Sequence, residues 1–160
     1  MSTRSKQLAK EFKAQQEAEE LARKEQALEL QTKNEKAILD AKTLAREAPK
    51  IWAKFCGEFQ KQCDEFNADS GGIVLLVAPQ NSSQIIVSRV GEGKPSLRIS
   101  FAQTDYRIRF GGAYGPAKNT ELRIKVMDGD SEPSLVSDDG RAVDLEGTVE
   151  GNIRWLLGLG

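Results

Sequence analysis

The chain has 160 residues, about one domain by length, and 39% of them are apolar, enough for one modest core but low for the whole length. Part of the chain is therefore expected to lie outside the core. There is no histidine, which excludes any mechanism that needs an imidazole base, a histidine ligand or a pH switch near neutrality.

Formal net charge is -1, yet residues 1–72 carry 13 cations and 13 acids, residues 73–127 carry 8 and 3, and residues 128–160 carry 2 and 8. Such asymmetry bears on partners or internal pairing rather than on fold. Cys56 and Cys63 stand seven apart on a predicted helix, about 10 Å along its axis and beyond disulfide reach, so they read as reduced, buried residues. No apolar run approaches the roughly 18 residues of a membrane span, and no apolar N-terminal segment suggests a secretory signal. A cytoplasmic protein is expected.

Residues 1–37 are rich in Ala, Glu, Gln, Lys and Leu, all good helix formers. A helical arm is predicted, with ion pairs from Glu20 to Lys24 and from Glu29 to Lys33. Its apolar residues Leu8, Phe12, Leu21, Leu28 and Leu30 hold no single heptad seam. The arm is expected to be stabilised by a partner chain, or else to fray as a solvated tail.

Residues 38–160 are expected to form one α+β domain. Ile38, Ala41, Ala45, Ala48, Trp52, Phe55, Phe59 and Phe66 recur at helical spacing, which predicts a helix over 38–67 with one buried face. Leu44, Ile51, Cys56 and Cys63 widen that face to suit packing on a sheet. Pro49 predicts a break, because proline lacks an amide hydrogen and disfavours helical geometry at the residue before it. Gly71 and Gly72 predict the stop.

From Ile73 the period becomes two. Ile73 to Val77 reads as a strand covered on both faces, with residues 79–83 as its turn. Ile85 to Val90, Leu97 to Phe101, Tyr106 to Phe110 and Leu122 to Val126 follow, and a short strand at Leu135 and Val136 leads through Asp138-Asp139-Gly140 to Ala142. The expected architecture is a five- to six-stranded antiparallel meander over 73–143 packed on the long helix, closed by a short helix over 148–157 with Thr148 as its cap and Gly158 as its stop.

The polar face of this sheet is its most informative feature. Alternation places Arg98, Arg107, Arg109, Arg123 and Lys125 together on the outer face, with no acid alternating among them inside the three predicted strands. Like charges on adjacent strands repel, so a compensator is expected. Three are considered: the acidic C-terminal block (Asp128, Asp130, Glu132, Asp138, Asp139, Asp144, Glu146, Glu150), a partner protein or another copy's arm, and nucleic acid. Nucleic acid ranks last, because the face offers no aromatic alternation for base stacking and the sequence pI is 5.7.

Asp128-Gly-Asp-Ser-Glu132 lacks the rest of a calcium loop and reads as a turn. Gly111 to Pro116 lacks the lysine and helix of a phosphate loop. No catalytic constellation, metal site or cofactor motif assembles, and Trp52, Phe55, Phe59 and Phe66 read as core before they read as a ligand pocket. The function expected is that of a non-enzymatic protein-protein interaction or assembly module, homo-oligomeric or part of a larger assembly. It would act through its arm, with the basic sheet face as a second contact surface and no membrane partner. A nucleic-acid-binding module is the alternative, and a carrier of small apolar ligands is the weaker one.

Overall fold

In the computed structural model, which describes residues 3–114 and 119–159, the elements are helix α1 (Thr3–Ser70), strands β1 (Leu75–Asn81), β2 (Gln84–Arg89), β3 (Ser96–Ala102), β4 (Arg107–Ala113), β5 (Asn119–Val126) and β6 (Pro133–Val136), and helix α2 (Leu145–Leu157). The strands form one antiparallel sheet in the order β1-β2-β3-β4-β5-β6, the expected α+β meander. The chain divides into two units, 1–41 and 42–160.

In the second unit, alternation along the strands gives the sheet an apolar face and a polar one. Ile85, Val87, Leu97, Ile99, Ile108, Phe110, Leu122 and Ile124 are all buried and join one core with Ala48, Trp52, Phe55, Phe59 and Cys63 of α1. Aromatic rings carry the contact between α1 and the sheet. Trp52 stacks on Phe101 of β3 at 5.7 Å, and Phe55 meets Phe110 of β4 edge-on at 5.9 Å. From α2, Val149, Ile153 and Leu156 complete the core. Trp52, Phe55 and Phe59 are thus buried packing residues, and Phe66, partly buried, packs against the same core while lining a groove between α1 and α2.

Four expectations about boundaries are corrected. α1 does not break at Pro49, which sits inside the helix. Ala48 and Phe55 are fully buried around it, so packing of the flanking turns outweighs the missing hydrogen bond. β1 runs on through Pro79 to Asn81, leaving Ser82 and Ser83 as a two-residue turn. Proline is accommodated because β1 is an edge strand and Pro79 points its nitrogen away from β2. β1 is also not covered on both faces, since Leu76 is 52% exposed and Ile73, outside the strand, is exposed. Finally, α2 starts at Leu145, capped by Asp144, whose Oδ2 accepts from Gly147 N at 2.9 Å; Thr148 Oγ1 instead donates to the Asp144 carbonyl.

Two glycine stops are found as expected. Gly71 ends α1 at φ 79° and donates to Asn67 O, and Gly158 ends α2 at φ 71°. Asn67 also ties down the open edge of the sheet. Its Oδ1 accepts from Val74 N and Leu75 N, both at 3.0 Å, and its Nδ2 donates to Leu75 O at 2.8 Å.

Candidate interaction surfaces

The outer face of the sheet follows from its register. Arg98 pairs with Ile86 and Gly111, Arg109 with Ser100 and Glu121, Arg107 with Ala102 and Arg123, and Lys125 with Ser134. All five predicted cations therefore share that face, and Arg107 and Arg123 stand directly opposite each other. Like charges in that position repel.

Acids within the sheet relieve part of this repulsion. Arg107 Nη1 donates to Glu121 Oε1 at 3.1 Å, and Arg109 Nε lies 3.5 Å from Glu121 Oε2. Asp105, in the β3–β4 turn, accepts from Arg109 Nη2 at 2.7 Å and lies 3.7 Å from Arg107 Nε. Burial alone would raise the Asp105 carboxyl; the hydrogen bond and charge of Arg109, with Arg107 beside it, outweigh that and hold it below its ordinary value. The groups are partly exposed, so solvent screens each pair and none contributes much alone.

Two carboxylates thus grip two arginines, and the expectation that no acid alternates with the cations is corrected. β5 begins at Asn119, three residues before Leu122, and period two then places Glu121 on the same face as Arg123. Among the described residues, no acid of the C-terminal block forms an ion pair with these cations. Asp139 pairs with Arg141, Asp144 caps α2, and Asp138 lines a small groove of about 180 Å³ beside Arg123 and Lys125 without bonding either. Among the described residues, no ion pair reaches Arg98, Arg123 or Lys125. Over β1 and β2 the same face turns apolar, with Leu76 exposed and Ile86 half-buried.

In the first unit every residue from Thr3 to Leu39 is exposed. Leu8, Phe12, Leu21, Leu28 and Leu30 are each 59–65% exposed, and Ile38 and Leu39, the former expected on the buried face, are exposed as well, so this unit carries seven large apolar side chains in water. Lys24 pairs with Glu20 at 3.7 Å as expected and Lys36 with Asp40 at 3.0 Å, while Glu29 and Lys33 do not pair.

Sites for chemistry are few. Burial pushes the thiols of Cys56 and Cys63 up to about 11, the charge of Asp64 adding to the rise at Cys63, and both are free. Among the described residues no group of three or more cysteines and acids could hold a metal ion, and no helix is long and apolar enough to cross a membrane. Gly115 and Pro116 of the glycine-rich loop lie outside the described residues. No protein-family model matches the chain, and neither curated proteins nor solved structures yield a match.

Proposed function

We propose that this chain is a non-enzymatic assembly module that self-associates through its N-terminal helical arm. The observation that carries this reading is the exposure of Leu8, Phe12, Leu21, Leu28 and Leu30 on a helix with no buried residue from Thr3 to Leu39. A water-exposed helix gains little from its weak i,i+4 pairs, so an order of this length is best supported by a helical neighbour. The two depressed-reactivity thiols and the absence of histidine favour a binding role over catalysis, and free thiols suit the reducing cytoplasm.

The outer sheet face is the second contact surface in this reading. Among the described residues Arg98, Arg123 and Lys125 have no ion-pair partner, and Arg98 stands opposite the half-buried Ile86, a face that suits an acidic protein surface. A polyanionic nucleic acid is less well served, since Glu121 and Asp105 already occupy Arg107 and Arg109 and no aromatic ring stands among the paired outer residues of β2 to β5.

The test is mass by light scattering after size exclusion, for the full chain and for a variant with all five arm residues replaced by glutamine. Loss of about 1 kcal/mol per side chain predicts association weaker by more than a thousandfold. A full chain that is monomeric at every concentration would overturn the reading.

A further inference from the structure

Because α1 is continuous, its arm has a fixed angular register. Leu21 and Leu28 are seven residues apart, about two turns, and share one side with Ala14 a further two turns back. Phe12 and Leu30 are eighteen apart, about five turns, and share a side with Leu8 one turn earlier. Leu21 and Leu30 are nine apart, about two and a half turns, which puts the second stripe opposite the first. The large apolar residues from Leu8 to Leu30 thus form two stripes on opposite sides of one helix; Leu39, eighteen residues after Leu21, continues the first, and Ile38 lies between the two.

A two-stranded coiled coil buries one stripe per helix and would leave the other in water. From this we infer that each arm lies between the arms of two other copies, so that the assembly contains at least three chains joined by two isologous, antiparallel contacts, one along each stripe. The inference rests on the self-association proposed above.

The charges name a second copy as the neighbour. Residues 3–13 hold four cations (Arg4, Lys6, Lys10, Lys13) against Glu11, whereas residues 14–30 hold five acids (Glu17, Glu19, Glu20, Glu25, Glu29) against Arg23 and Lys24. The two blocks carry equal and opposite net charge. In-register parallel pairing would set each block against its like; an offset or antiparallel neighbour sets the basic block of one copy beside the acidic block of the next.

The experiment is light scattering on the full chain and on three variants: Leu21→Gln with Leu28→Gln, Leu8→Gln with Phe12→Gln and Leu30→Gln, and all five together. Glutamine keeps helix propensity at exposed positions, and far-ultraviolet circular dichroism verifies the helix in each. The wild-type chain is expected at three copies or more, each one-sided variant at two, and the five-fold variant at one. A wild-type dimer would overturn the two-sided arrangement while leaving self-association intact, as would a one-sided variant that keeps the wild-type mass. A wild-type monomer would overturn both.

Discussion

Replacing Pro49 by alanine is expected to stabilise the protein. Pro49 lies well inside α1, where it cannot donate to the carbonyl of Ala45 and its ring crowds that oxygen. Proline costs about 3 kcal/mol more than alanine in a helix interior. Against that, alanine frees the unfolded chain and so loses about 0.4–1 kcal/mol of the benefit. The ring itself is exposed, and only borders the shallow groove beside Trp52, so little packing goes with it. The balance is about 2 kcal/mol in favour of Pro49→Ala, a rise in Tm of about 4–8 °C for a chain of this size. Thermal melts followed by circular dichroism, with urea titration for the free energy, read it directly. An unchanged or lower Tm would refute the reasoning, since it would mean that the helix is already open at residue 49 and has no interior bond for alanine to restore.

Asn67→Ala removes three hydrogen bonds that hold the start of β1 against the end of α1, and a cost of about 2 kcal/mol is expected as a lower urea midpoint at constant slope; a loss below about 0.5 kcal/mol would show that water replaces the side chain. Asp105→Asn tests the arginine grip through pH. The Asp105 carboxyl in the folded chain titrates below its ordinary value of 3.8, so its contribution is present above that value and is lost as pH falls through the lower folded one. The acid limb of wild-type stability should therefore be steeper than that of the variant, and identical limbs would remove Asp105 from the account. With thiols at about 11, only about one in a thousand is ionised at pH 8, so alkylation should run about a hundredfold slower in the native chain than in urea. Labelling at the denatured rate would contradict the burial.

The fold was legible because its two periods are clean. Helical spacing over Ile38–Phe66 and alternation from Leu97 to Val126 each name a buried face; the two meet from Ala48 onward, while Ile38, Ala41 and Ala45 at the start of the helical stripe are exposed. What periodicity misses is decided by contacts far along the chain. Pro49 is a local breaker overruled by the burial of Ala48, Trp52 and Phe55, none of which a nine-residue window weighs against it. The cap of α2 went to Asp144 rather than Thr148 because Leu145 packs partly against the core, drawing the first turn three residues earlier.

The charged face shows the same limit at the scale of a single residue. Five cations were visible in the sequence, and their shared face follows from alternation alone. Their compensator was not visible, because Glu121 lies one residue before the apolar run that marks β5, and only the pairing of Arg109 with Glu121 shows that the strand extends to include it. The sequence therefore overstated the excess of charge: two of the five arginine and lysine heads are held within the sheet, and Arg98, Arg123 and Lys125 remain. If those three serve an acidic surface, reversing Arg123 and Lys125 to glutamate should weaken that contact and leave the arm's association at its wild-type mass. A fall in mass in this variant would mean instead that arm and sheet belong to one interface, and that the free cations exist for the acidic block of a neighbouring arm.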